Sequence, residues 1–225
     1  MGNSEDVAQL RSAYDTVAET YAEVLPDTSF EAPLDMAMIE AFRARLRPTA
    51  GRKVIDAGCG TGRLSAHLAH AGLDVTGVDL SPGMVQMARR RHPGLAFEVG
   101  ELTRLTVAAG AADGIIAWYS IIHSSPSELP QIVGEFRRVL RPGGFALIAF
   151  QVGSGQRTIA RAYGHDVELR AELHSPDDVA GCFAEQGFVL EAELVRAARS
   201  SEKHPQAMLL LGKPLESAAA AELSA

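Results

Sequence analysis

Residues 53–62 read Lys53-Val54-Ile55-Asp56-Ala57-Gly58-Cys59-Gly60-Thr61-Gly62, and this stretch decides the fold. Lys53 to Ala57 is short and mostly apolar, with two β-branched residues, which predicts a buried strand. The alternate glycines that follow predict a tight turn, since glycine takes positive φ without a Cβ penalty and lets a ligand approach the backbone. Arg63 to Ala71 is then a predicted helix, with Leu64 and Leu68 on one face. Strand, glycine turn and helix in succession open a βαβ unit, and the N–H groups at the helix start face whatever binds there.

Outward from this unit the pattern repeats. Asp74 to Val78 predicts a second strand ending at Asp79. Ser81-Pro82 reads as an N-cap with proline at the first helical position, and the helix it starts turns Met84, Val85 and Ala88 inward. Leu95 to Val99 and Gly114 to Tyr119 predict a third and a fourth strand. A helix from about Ser127 to Leu140 buries Leu129, Ile132, Val133, Phe136 and Leu140 until Arg141-Pro142-Gly143-Gly144 stops it, and Phe145 to Phe150 is a fifth strand. Such alternation predicts a parallel sheet covered on both faces. Upstream, Val7, Leu10, Tyr14, Val17, Tyr21 and Val24 recur at helical spacing behind Ser4 as N-cap. A second helix from about Leu34 to Leu46 buries Leu34, Met38, Phe42 and Leu46. After Gln151 the rhythm loosens until a helix near Pro176 to Glu185. Strands at about Phe188 to Val195 and Ala207 to Leu211 then pair as a hairpin. The Ala- and Glu-rich stretch from Leu215 is expected to be disordered.

The whole chain of 225 residues is 47% hydrophobic and carries a formal charge of −7, which suits a folded domain and disfavours a polyanionic partner such as nucleic acid. Cys59 and Cys182 make neither a disulfide framework nor a zinc pair. No apolar run reaches membrane-helix length, and the polar, acidic start lacks a signal peptide's layout. A cytoplasmic protein with no membrane partner, monomeric or homodimeric, is therefore expected. Only three of the 21 basic residues are lysine, a bias that fits a GC-rich bacterial genome.

Two ligand classes suit a glycine turn with an acid, Asp79, ending the next strand. Dinucleotide binders place a pyrophosphate over the turn and a ribose on the distal acid. Asp56, two residues before the first glycine, repels a pyrophosphate and suits a ligand that is positive there, and the Gly58, Gly60, Gly62 spacing departs from GxGxxG.

At these residues the chain resembles the class I S-adenosylmethionine-dependent methyltransferases. Val54 to Gly62 (VIDAGCGTG) matches their first motif, (V/L)(L/I/V)DxGCGTG. Val75 to Ser81 (VTGVDLS), the pair Gly100-Glu101 and Leu140 to Gly144 (LRPGG) match further landmarks in the family's order. The resemblance covers about residues 50 to 150. It implies an α/β, Rossmann-like three-layer sandwich whose seven-stranded, mostly parallel sheet has its last strand antiparallel. It also implies S-adenosylmethionine as cofactor, with S-adenosylhomocysteine as product. On the matching positions, Asp56 and the Gly58 backbone would hold the cofactor's amino-acid end, Gly60 and Gly62 would shape the turn, and Asp79 would take the ribose hydroxyls. Leu80 and Met84 would flank the adenine, Glu101 and Leu102 would meet its amino edge, Trp118 to Ser120 would line the open side, and Tyr21 would cover the cofactor. Residues 1–50 would form a helical cap, 51–152 the cofactor core, 153–214 the substrate side, and 215–225 a tail, all within one methyltransferase domain.

Absences narrow the acceptor. Ala117-Trp118-Tyr119-Ser120 is not the (N/D)PP(Y/F) motif of nucleic-acid amino-methyltransferases, there is no Pro-Cys pair for cytosine C5 chemistry, and no metal site is expected. A small-molecule acceptor remains, methylated at O, N or C by in-line displacement. His123, after the fourth strand, and His165, in the loose segment beside Tyr163, are candidate bases or substrate contacts. The expected rivals are a non-catalytic S-adenosylmethionine-binding regulator and, behind it, a nicotinamide-dependent oxidoreductase.

Overall fold

The computed structural model describes residues 4–46 and 52–215. The expected tail, residues 215–225, lies outside them except for Leu215. The elements run α1 (Ser4–Val24), α2 (Pro33–Leu46), β1 (Lys53–Ala57), α3 (Arg63–His70), β2 (Asp74–Asp79), α4 (Pro82–Arg91), β3 (Ala96–Val99), β4 (Ala112–Trp118), α5 (Leu129–Val139), β5 (Leu140–Gln151), β6 (Gln156–Ala162), β7 (His165–Glu172), α6 (Pro176–Glu185), β8 (Val189–Arg196) and β9 (Gln206–Gly212). Seven strands form one sheet in the order β3-β2-β1-β4-β5-β9-β8. Neighbours from β3 to β5 are parallel, and β9 runs antiparallel to both β5 and β8. The expected Rossmann-like sheet with its last strand antiparallel is the observed one.

Side-chain alternation along each strand builds a core on each face. Ile55 and Ala57 of β1 pack with α5 and α6 through Phe136 and Phe183. Val54 points the other way, to Phe42, Leu46, Leu64 and Leu68 of α2 and α3. The sheet order reverses between β1 and β4, so their C-terminal ends open a crevice, the usual ligand position in such sheets. Beside the landmark Leu140 to Gly144, Arg141 Nε donates to Asp113 Oδ1 at 2.6 Å, and Lys53 N donates to Asp113 Oδ2 at 2.8 Å. That carboxylate ties β1, β4 and β5 together at the opposite end.

Three expectations are corrected. The loose segment after Gln151 is a second, two-stranded sheet, β6 paired antiparallel with β7. Its turn is Tyr163-Gly164, both at positive φ (50° and 85°), as a two-residue hairpin turn requires. Polar, exposed alternation and a tyrosine in place of the usual asparagine hid it from a pattern reading. In α2, Leu34 is 52% exposed while Asp35 is fully buried, because an ion pair with Arg196 takes the inward position. In α1 the apolar stripe stops short, leaving Val24 exposed. Among the described residues no helix is long and apolar enough to cross a membrane.

Candidate functional site

The turn after β1 is built by its own hydrogen bonds. Gly58 N and Cys59 N donate to Val78 O at 2.7 and 3.0 Å, and Gly62 N donates to Cys59 O at 3.0 Å. Gly60 N donates to Asp79 Oδ2 at 2.8 Å, and Ser81 N donates to Asp79 Oδ1 at 2.9 Å. All three glycines have positive φ. A Cβ on Gly62 would lie 2.7 Å from the Phe97 ring, so this glycine lets α3 close onto β3.

Over the turn lies a cavity of about 660 Å³. Its floor is Gly58, Gly60, Asp79 and the ends of β3 and β4, its roof is α1, and its far wall is the β6–β7 hairpin with the loop before β9. Val17 and Ala18 of α1 pack on Met84 of α4, beside Tyr14, Tyr21, Tyr163 and Val167. The Tyr21 ring lies 4.8 Å from that of Tyr163. It also stands 3.7 Å from where a Cβ on Gly60 would be, directly above the turn. Arg63, the first residue of α3, pairs with Glu31 at 2.5 Å beside Tyr21.

The cavity wall holds most of the residues singled out by the sequence: Tyr21, Gly58, Gly60, Asp79, Leu80, Met84, Glu101, Leu102, Trp118, Ser120 and His123. Three stand elsewhere. Gly62 packs behind the turn. Asp56 shares the α3-facing side of β1 with Val54, so its Oδ2 accepts the Ser65 hydroxyl at 2.5 Å and its carboxyl is buried away from the cavity. His165 begins β7 at the hairpin's end, opposite Ala162, and does not border the cavity; its neighbour in the turn, Tyr163, does. Residues the pattern reading missed include Arg63, Arg157, Arg199 and Gln206. Arg63 was legible from its place just after the turn. Arg157 and Arg199 were not, since each reaches the site from an element without a distinctive motif.

Burial sets the site's charge states. It pushes the Asp79 carboxyl up, against the two backbone N–H groups that pull it down. Each Asp79 oxygen keeps lone-pair capacity for a ligand hydroxyl. Asp79→Ala should weaken S-adenosylhomocysteine binding by about 1.5–3 kcal/mol, the worth of a charge-assisted hydrogen bond. Calorimetry reads this directly, and wild-type affinity would exclude Asp79 from the ligand contacts.

Asp56 is pushed up to about 6 by burial, with Ser65 and the Arg63 charge opposing. The folded protein therefore holds this proton more tightly than the unfolded chain does. The group's contribution to stability falls as pH rises from the unfolded value near 4 to about 6, and is level above. Its total is about 3 kcal/mol at 1.36 kcal/mol per unit. Urea titrations of wild type and Asp56→Asn, both without cofactor, should diverge by that amount across the interval. A difference that stays constant with pH would contradict the assignment.

His123 Nδ1 lies 2.7 Å from the Arg170 carbonyl oxygen, which can only accept, so Nδ1 carries the hydrogen. Nε2 then takes the Tyr14 hydroxyl at 2.6 Å. Burial lowers the His123 pKa to about 4; the Arg170 carbonyl opposes this and the Arg157 charge adds to it. Burial likewise raises the Tyr14 phenol. The pair is neutral near pH 7. A histidine-resolved NMR titration should find no His123 inflection between pH 5.5 and 8, and a midpoint near 6.5 would show a solvated ring.

Residues 54–144 match the family model described as a methyltransferase domain. The chain is 34% identical over 145 residues to a demethylmenaquinone methyltransferase of Beutenbergia cavernae, covering 64% of this chain and 59% of that one. It is 35% identical over 119 residues to a malonyl-[acyl-carrier protein] O-methyltransferase of Pectobacterium atrosepticum, covering 53% and 46%. The chain thus spans about half the length of these curated relatives. Among solved structures, the 1,6-didemethyltoxoflavin-N1-methyltransferase of Burkholderia thailandensis superposes with a TM-score of 0.69 at 21% identity, over 95% of this chain and 91% of that one. Sheet order, ordered motifs and domain match agree: the chain carries a methyltransferase domain, matched over residues 54–144, on a sheet with the strand order expected of the class I S-adenosylmethionine-dependent methyltransferases.

Proposed function

We propose that the protein transfers a methyl group from S-adenosylmethionine to a small-molecule acceptor held in the cavity above the turn. The observation that carries this reading is the occupancy of the turn's N–H groups. Four of its five, those of Gly58, Cys59, Gly60 and Gly62, are satisfied internally, one of them by the Asp79 carboxylate. A pyrophosphate needs such groups free, and is repelled by that carboxylate. A ligand with a ribose diol and a cationic centre suits both. Ser120 Oγ and Trp118 Nε1, on residues of the cavity wall, are buried without a protein partner, which fits polar contacts made by a ligand.

When bound, S-adenosylmethionine supplies a methyl group already activated on a sulfonium. The protein's own work is then alignment and exclusion of water. In this reading Asp79 and Glu101 take the polar edges of the cofactor, Leu80, Met84 and Leu102 its flat faces, and Tyr21 closes over it. The amino-acid end rests on the Gly58 backbone, with Asp56 buttressing α3 from behind. The Tyr14–His123 pair orients an acceptor atom. A base with a pKa near 4, its lone pair already engaged, is a poor proton acceptor at neutral pH, so we assign His123 positioning rather than general-base catalysis. Residues 51–152 would hold the cofactor, while residues 1–50 and 153–214 enclose the acceptor. That enclosure weighs against a regulator with an open face.

Calorimetry with S-adenosylhomocysteine and with NADH tests the reading. Binding of the first alone is expected. NADH binding without S-adenosylhomocysteine binding would overturn it in favour of an oxidoreductase.

A further inference from the structure

Among the described residues three arginines border the cavity, and two of them are neutralised within the protein. Arg63 pairs with Glu31, and Arg199 pairs with Glu202 at 2.9 Å. Among the described residues, Arg157 has no carboxylate within ion-pair distance. Its Nη2 donates to the neutral Gln151 Oε1 at 2.6 Å, and its Nε is buried with no partner at all. A guanidinium keeps its charge in any protein, and a partly buried charge left uncompensated is unfavourable. Lys203, also at the cavity, is exposed and solvated.

The position of Arg157 assigns it an end of the cavity. It comes from β6, in the hairpin that forms the far wall, and it bonds to the last residue of β5. In the sheet order, β4 lies between β5 and the glycine turn, and Asp79 is one strand further. At about 4.8 Å per strand, Gln151 sits roughly 10 Å from the strand that feeds the turn and roughly 15 Å from that of Asp79. The Arg157 charge instead acts on Tyr14 and His123, the neutral pair on the acceptor side.

We propose that Arg157 is a specificity residue that binds a carboxylate on the methyl acceptor, so that the substrates of this protein are small organic acids. The proposal rests on the methyl-transfer reading above and deepens it. A planar guanidinium offers paired N–H donors to a carboxylate, and here the buried Nε is free to be one of them. The Tyr14 hydroxyl, held by His123, then lies beside the anchored acid to orient its reacting atom.

The test uses the intact chain saturated with S-adenosylhomocysteine and two matched probe pairs, benzoate with benzamide and hexanoate with hexanamide, titrated by calorimetry. At least one carboxylate should bind about tenfold or more tighter than its amide. Arg157→Gln should abolish that preference and Arg157→Lys should keep part of it, with S-adenosylhomocysteine affinity unchanged within about twofold. Amides binding as well as acids, or no probe binding, would overturn the proposal. So would a tenfold loss of S-adenosylhomocysteine affinity in Arg157→Gln, which would make Arg157 a cofactor ligand. Should that variant not fold, the wild-type preference and Arg157→Lys decide. Wild-type protein that fails to bind S-adenosylhomocysteine would instead remove the methyl-transfer reading itself.

Discussion

Gly58→Ala should all but eliminate cofactor binding. Gly58 has φ of +84°, and a Cβ built there falls 2.2 Å from the Ser120 Cβ. The left-handed conformation alone costs a non-glycine residue about 1–2 kcal/mol, and overpacking adds about 1–3 kcal/mol. Neither partner can yield cheaply. The Gly58 N–H is bonded to Val78 O, and Ser120 directly follows Tyr119, itself at a positive φ of 58°. Relief therefore has to come from separating the ends of β1 and β4, which form the cavity floor. The combined effect of about 2–5 kcal/mol predicts S-adenosylhomocysteine binding weaker by roughly 30-fold to several thousand-fold, or a matching loss of stability. Calorimetry with a parallel thermal melt reads both. A variant with native affinity and native melting temperature would show that the turn tolerates the clash.

The second large effect concerns stability. Asp35 is fully buried and accepts both arms of Arg196, Nε at 2.6 Å and Nη2 at 2.8 Å. Arg196 also donates to Glu202 through Nη1 at 2.6 Å. Glu202 is held down to about 2, chiefly by the Arg196 hydrogen bonds. The network joins α2, the end of β8 and the loop that carries Arg199, Glu202 and Lys203 to the cavity. Asp35→Ala leaves the buried guanidinium with Glu202 as its remaining carboxylate and takes away the acceptor of the buried Ala32 N–H, and should cost about 3–5 kcal/mol. At roughly 2–4 °C per kcal/mol for a chain of this size, the melting temperature should fall by about 6–20 °C. Asp35→Leu combined with Arg196→Met and Glu202→Gln should recover much of the loss, because a buried ionic network is dear to break and far cheaper to replace whole. A single-variant loss below about 1 kcal/mol would mean that water reaches the pair and screens it.

The same two positions show where a pattern reading succeeds and where it stops. Gly58 sits in a local signal: strand, turn and helix lie within twenty residues, and glycine spacing reports the backbone conformation directly. Asp35 sits in a helix whose period alone puts Leu34 inward. Its burial depends on Arg196, 161 residues away, and no local rule sees that partner. Asp56 is a further instance. Its place at the end of β1 was plain, but which face its carboxyl takes follows from strand alternation, and that points it to Ser65 of α3 and away from the cavity. The β6–β7 hairpin escaped because its strands are polar on the exposed side and its tyrosine turn is a poor hairpin former by itself. Packing of Tyr163 beside Tyr21 helps to hold it.

By itself the sequence determined the parallel sheet, its glycine turn, the distal acid Asp79 and the cofactor class, since each is written in short local motifs that follow one another along residues 50 to 150. Tertiary structure alone decided how α1, the hairpin and the loop before β9 close one cavity over that turn. It alone engaged the His123 lone pair with Tyr14, and it left Arg157 as the unneutralised arginine of the cavity wall. Those outcomes are set by contacts between residues distant in the chain, where burial and the presence or absence of a charged partner determine what a side chain can do.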